Sequence, residues 1–204
     1  KDGTGTLRIR NAGVNDYSGG TTINGGTIEI GDGVTPDLGT LGSGPIVNHG
    51  TIILNRPDSF TVPNGVTGVG GVVKNGAGIV TLSATVAQAG PIVINAGGFV
   101  FAGGGNLSGQ ISGAGSIEVT GGILELSGFD PNTYAGTTTI SAGTLRLGKV
   151  FGANAVAGDI LITGTGVLAI IGGEQIPDTA TITFTGSSGN AIGGTNTAET
   201  VANV

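Results

Sequence analysis

The sequence predicts an all-β protein wound as a right-handed parallel β-helix, a β-solenoid. Three observations lead there. Glycine supplies 44 of 204 residues, while charged residues make up only 10%, against about 25% in an average domain. Short aliphatic clusters alternate with period two along the whole chain. A stretch of 27 residues recurs without a gap, and self-similarity of this kind marks a repeat architecture.

Glycine disfavours helix more than any residue but proline, so a helical bundle is excluded. It follows no three-residue period, which excludes collagen. No cysteine is present, so neither a disulfide scaffold nor a zinc ribbon is available. Hydrophobic residues reach 38% and mean hydropathy is +0.33, values at odds with a disordered chain.

The strands are read from triplets whose outer residues are apolar. Leu7-Arg-Ile9, Ile28-Glu-Ile30, Val80-Thr-Leu82, Phe99-Val-Phe101, Ile117-Glu-Val119, Leu124-Glu-Leu126, Leu145-Arg-Leu147 and Ile182-Thr-Phe184 all fit. In each, the outer pair points one way and the middle residue the other. The pattern places Leu7, Ile9, Ile28, Ile30, Leu124, Leu126, Leu145 and Leu147 inside. Strands this short cannot stand alone. They become stable when each stacks on its equivalent in the next coil, about 4.8 Å away. Gly and Asn then take the corners. The right hand follows from the usual crossover of parallel strands. With coils of roughly 20–25 residues, about eight to ten coils are expected. No break in composition divides the chain, so residues 1–204 form one β-helix segment.

The repeat aligns residues 5–31, GTLRIRNAGVNDYSGGTTINGGTIEIG, with residues 122–148, GILELSGFDPNTYAGTTTISAGTLRLG. Both tyrosines fall in it, each two residues after an asparagine: Asn15-Asp-Tyr17 and Asn132-Thr-Tyr134. Equal spacing from the flanking strands predicts that both occupy the same corner of two coils. A degenerate third copy spans 78–104 and lacks the tyrosine.

Asn15-Asp-Tyr-Ser-Gly-Gly-Thr-Thr-Ile-Asn-Gly-Gly-Thr-Ile28 and Asn132-Thr-Tyr-Ala-Gly-Thr-Thr-Thr-Ile-Ser-Ala-Gly-Thr-Leu145 resemble the autotransporter-associated β-strand repeat, also called the passenger-associated transport repeat. Leu41-Gly-Ser-Gly-Pro45 resembles the linker that often follows it. The resemblance implies part of the secreted passenger of a type V autotransporter of a Gram-negative bacterium, often an adhesin. It implies a surface or extracellular location, adjoining passenger coils, and a C-terminal outer-membrane β-barrel outside this chain. The chain is then a fragment of a longer solenoid, which fits its lack of any Met. A host or surface receptor, or further copies of the chain, are the partners implied.

Chemistry is sparse. The only histidine, His49, sits in Val-Asn-His-Gly-Thr and reads as a turn residue. Ser43, in Gly42-Ser-Gly44, matches no nucleophile elbow. Acidic residues are dispersed, with Glu29, Asp32 and Asp37 the closest group, and read as charged turns. Gly103-Gly-Gly-Asn106 lacks the aspartate of a calcium-binding repeat, and Asn106-Leu-Ser108 is a chance sequon. Neither a catalytic residue, a metal nor a cofactor is expected, and the chain is not expected to be an enzyme. Net charge is −6, with the seven basic residues scattered, so nucleic acid is not an expected partner. No apolar run is long enough for direct membrane insertion.

A structural and adhesive surface stalk is the expected function. The alternatives are a polysaccharide-binding or polysaccharide-processing β-helix, or a binder of ligand or ice that uses stacked threonines. Thr21-Thr22, Thr137-Thr-Thr139 and Thr179-Ala-Thr-Ile-Thr-Phe-Thr185 would form such a face if they stacked in register.

Overall fold

A computed structural model describes residues 1–185 and the backbone of the strand Ala191–Gly194; the rest of the expected 1–204 segment lies outside the described residues. No helix occurs among them. The strands assemble into three sheets, of six, nine and seven strands, in which every ladder is parallel. From Phe60–Val62 to Ile111–Gly113 the chain visits the seven-stranded, nine-stranded and six-stranded sheets in turn; before that its strands alternate between the six- and nine-stranded sheets, and after it between the seven- and nine-stranded sheets. This is a parallel β-helix of about nine coils, as expected.

Register explains why such short strands hold. Inward residues stack on inward residues: Ile28, Ile52, Val72, Ile92 and Ile111 form one column of the six-stranded sheet. Leu124, Leu145 and Leu168 form another on the nine-stranded sheet, and Leu82, Phe101, Val119, Ile140 and Ile162 a third on the seven-stranded sheet. All are buried. Strands inside a sheet hydrogen-bond to the coils on both sides and pack their apolar side across the lumen, so the stack supplies what a lone strand of three residues lacks.

Two corner glycines show why this residue recurs. A Cβ on Gly76 would land on the backbone carbonyl of Arg56, one coil below. Gly105 has φ +131°, and a Cβ there would meet the Val86 carbonyl.

Of the residues expected inside, Ile28, Ile30, Leu124, Leu126, Leu145 and Leu147 are buried. Ile9 is half-buried against the core. Leu7 is 47% exposed. It pairs with Ile28, but it lies on the first described coil, where stacking covers it from one side only.

The two Asn-x-Tyr segments do not share a corner. In the first copy, Thr6–Ile9 and Thr27–Ile30 lie in the six-stranded sheet; in the last, Ile123–Gly128 and Thr144–Lys149 lie in the nine-stranded sheet. The middle copy places Ile79–Leu82 and Gly98–Phe101 in the seven-stranded sheet. Equal spacing fixes the local strand, turn and strand, but the bearing of a copy depends on the residues between copies. Coils range from 18 residues (Phe99 to Ile117) to 25 (Thr21 to Ile46), and each later copy arrives one third of a turn past a whole number of turns.

Candidate functional site

His49 is exposed at the turn after Ile46–Asn48, its backbone N–H donating to the Ile23 carbonyl at 2.8 Å. Ser43 is exposed at the opposite end of the same strand. Among the described residues, no hydrogen bond joins His49 to Ser43.

The acidic group is consumed in structural contacts. Glu29 lies beside Arg8 at 2.8 Å and accepts from Asn55 Nδ2 at 3.1 Å. Asp32 Oδ1 accepts the N–H groups of Val34 and Thr35 at 2.9 and 2.7 Å, an Asx turn. Asp37 and Asp58 both clasp Arg56. These contacts set the ionisation. Partial burial works against the Glu29 charge, but hydrogen bonds from Asn55 and Arg8 and the nearby Arg8 and Arg10 charges hold its carboxyl below the usual range. Backbone N–H donors lower Asp32, and the Arg56 guanidinium lowers Asp58. A glycosidase acid needs the opposite displacement. Among the described residues no three His, Asp or Glu side chains converge as a metal site would require.

The outer ion pairs follow the repeat. Arg8 faces Glu29 and Glu125 faces Arg146, across adjacent coils in register. The first copy has Arg below Glu and the last has Glu below Arg, so the sign is exchanged and the pairing kept.

The threonine clusters do not build one face. Thr22 stacks with Val47 and Thr67 on the nine-stranded sheet. Thr139 lies between Glu118 and Leu161 on the seven-stranded sheet, with Thr183 beyond Leu161. Thr138 is buried and shares a hydrogen bond with the Tyr134 hydroxyl at 2.6 Å. Asn106 lies on the outer side of the nine-stranded sheet, level with Glu125, and its Oδ1 accepts from Ser127 at 3.0 Å.

Polar side chains enter the lumen where alternation alone suggests apolar ones. Lys74 stacks between Leu54 and Ile94. It is 1% exposed and donates from Nζ to the carbonyls of Gly76 and Ala96 at 2.5 and 3.0 Å. Burial pushes its pKa down to about 8. Asn132 accepts the Ile111 N–H at 2.8 Å and donates to the Ala155 carbonyl at 2.6 Å, linking the coils on either side. Gln175 spans the Lys149 backbone in the same way, accepting its N–H and donating to its carbonyl. Register between successive strands was the signal available for Lys74. Nothing in the local sequence distinguishes the amide staples.

The described concavity is inside the solenoid, an apolar cavity of about 210 Å³ whose wall includes Ile52, Val66, Val86 and Gln88. On the outside, Phe129 and Phe151 are each 79% exposed and Val150 42%, in the segments that follow the paired strands Ile123–Gly128 and Thr144–Lys149 on adjacent coils.

The fold defines a solenoid repeat protein. The family model of the passenger-associated-transport-repeat matches residues 1–30, 72–100 and 121–147, so the chain carries three copies of that repeat. Its middle match overlaps the copy expected at 78–104. The chain is also 34% identical over 149 residues to the adhesin BmaC autotransporter of Brucella suis biovar 1 (strain 1330). That alignment covers 72% of this chain but 4% of the relative, so the chain spans a small fraction of that protein's length. No solved structure gives a significant match.

Proposed function

We propose that this chain is a stalk segment of an autotransporter passenger, exposed on the outer-membrane surface of a Gram-negative bacterium, rigid along its axis, adhesive on its flank and without a catalytic role. The observation that carries this reading is the ladder of nine parallel strands running the length of the described chain and bearing the family's repeats. Such a stack transmits load from coil to coil and keeps distant modules away from the cell. The adhesin relative supports the adhesive part. The partners are a host or surface receptor, or other copies of the chain, with an outer-membrane β-barrel elsewhere in the whole protein.

Phe129, Val150 and Phe151, exposed where two adjacent coils leave the nine-stranded sheet, are the residues we assign to contact. Exposed apolar side chains adjoining on neighbouring coils mark interaction sites when they form a patch, and aromatic rings supply much contact area at little entropic cost. The test uses the whole protein displayed on bacteria. Deleting residues 1–204 in frame is expected to reduce adherence while display persists. Phe129→Ser with Phe151→Ser is expected to do the same without shortening the stalk. Undiminished adherence in both would overturn the adhesive reading. Turnover of a glycan by the purified chain, lost on Glu29→Gln, would instead establish the polysaccharide-processing alternative.

A further inference from the structure

Two outward columns of side chains carry the same charges in opposite order. On the outer face of the six-stranded sheet, Arg8, Glu29, Ile53 and Val73 follow one another along successive coils. On the outer face of the nine-stranded sheet the succession is Glu125, Arg146, Ala169 and Gly193. The two sheets are different sides of the rod. Arg8 is exposed, and Glu29, Glu125, Arg146, Ile53, Val73 and Ala169 are partly so.

Each charged pair is closed within the chain, Arg8 to Glu29 at 2.8 Å and Glu125 to Arg146 at 3.3 Å, and such a surface pair adds little stability by itself. Its order along the axis decides what it can face. Lay a second rod alongside, axes parallel, with its nine-stranded face against the six-stranded face of the first. Glu125 then comes opposite Arg8, and Arg146 opposite Glu29. The four charges alternate around a square, so each gains a second partner of opposite sign. The same register sets Ile53 against Ala169 and Val73 against Gly193, a β-branched side chain against a small residue on each of the next two coils. Both faces share the strand spacing of about 4.8 Å, so the match carries from coil to coil. Turning one rod end for end sets Arg8 against Arg146 and Glu29 against Glu125, and like charges so placed are costly. Copies carrying net charge −6 repel at a distance, which leaves attraction to such a local match.

We propose that a second copy of this chain docks its nine-stranded face on the six-stranded face of the first, with the Glu125–Arg146 pair opposed to the Arg8–Glu29 pair. The axes are parallel and staggered by about five coils, roughly 25 Å along the rod. The two faces differ, so the contact is heterologous, and a docked copy keeps its own six-stranded face open to a third. This contact specifies the self-association named among the partners and rests on that reading. It is measured on the isolated chain, so its failure is distinct from a loss of adherence by the displayed protein.

The chain has no cysteine, so single cysteines report the register. Equal amounts of an Ile53→Cys chain and an Ala169→Cys chain are mixed and mildly oxidised, and the disulfide-linked dimers are resolved by mass. Random encounters yield as much heterodimer as both homodimers together; docking in this register is expected to give heterodimer in clear excess. Arg8→Glu with Glu29→Arg, placed in the Ile53→Cys chain, keeps the pair within the rod but sets like charges across the contact. It is expected to return the yield to the random ratio with circular dichroism unchanged. Adding Glu125→Arg with Arg146→Glu to the Ala169→Cys chain is expected to restore the excess. Should an exchanged chain not fold, salt decides: at about 1 M, where screening acts within about 3 Å, the excess is expected to fall toward the random ratio. A random ratio from the unexchanged chains, an Ile53→Cys homodimer in excess, or an excess indifferent to both exchange and salt would overturn the proposal.

Discussion

Tyr134 and Tyr17 hold matching places in the repeat and make the same bond. Each hydroxyl meets the threonine four residues on, Tyr134 with Thr138 at 2.6 Å and Tyr17 with Thr21 at 2.7 Å. Their surroundings differ: Tyr134 is 1% exposed and Tyr17 40%. Burial pushes the Tyr134 phenol well above its ordinary value. Tyr134→Ala is expected to cost about 3–5 kcal/mol, as for a large aromatic removed from a core. Tyr17→Ala should cost about 1 kcal/mol, because much of its ring already meets water. Denaturant midpoints at constant m-value measure the difference. Lys74 gives a second residue-scale expectation. Its folded pKa of about 8 lies below its ordinary 10.5, so between these values the unfolded chain holds a proton that the folded one has released. Stability therefore rises with pH through that window, by up to about 3 kcal/mol. Lys74→Met should remove the rise, and urea denaturation at pH 7.5 and pH 10 would show it.

Among the elements, the insertion at 31–45 depends on Arg56. This buried guanidinium is clasped by Asp37 and Asp58, donates to the Gly39 carbonyl at 3.3 Å and lies 4.5 Å over the Phe60 ring. Asp37 is 93% exposed and Asp58 partly exposed, so losing the guanidinium strands no charge in the interior, and the cost is that of charge-assisted hydrogen bonds, about 1.5–3 kcal/mol. Arg56→Ala should thus free the insertion and speed hydrogen exchange from Gly31 to Gly44, while strands such as Thr144–Lys149 keep their protection. Acid acts on the same clamp. Arg56 lowers the Asp58 carboxyl, and hydrogen bonds from Asn55 and Arg8 lower that of Glu29 against the effect of burial, so the stability they supply is present above about pH 4 and fades as pH falls through their folded values. Acid exchange should open this end first. Alternation made most strands legible in the sequence, since period two follows directly from the pleat. The insertion was less legible. Its Gly, Pro and Asp residues announce a turn, but what anchors it comes from Arg56, a coil away, and no local pattern reveals such a pairing.

For the whole molecule, neighbour-only contacts mean that damage stays local. Ile94→Ala, in the middle of the described stack and fully buried, should cost about 2–5 kcal/mol. Amides of the adjoining strands Gly71–Lys74 and Ile111–Gly113 should exchange faster before those of Ile160–Ile162 respond. Uniform acceleration along the chain would show a more cooperative molecule than the coil-by-coil contacts support. The architecture as a whole was legible because repeat and alternation agree with each other. The assignment of copies to faces was not. It depends on accumulated coil lengths, and a few residues more or less in a corner turn everything downstream around the axis. The cavity was equally hidden, because it reflects a wall that one sheet leaves unfinished rather than any motif.

The rotation of successive copies changes what a visitor to the rod would meet. Had the spacing between copies been a whole number of coils, all copies of the motif would line up along one edge, and a partner could reach them only when the shaft rolled the right way round. The three copies here close on three different sheets, at Thr27–Ile30, Gly98–Phe101 and Thr144–Lys149. They are arranged as the steps of a spiral stair are, so the shaft shows one version of the motif to each quarter from which it can be approached. A probe that grips the strand and turn of this motif should therefore decorate the rod around its circumference rather than along a single line.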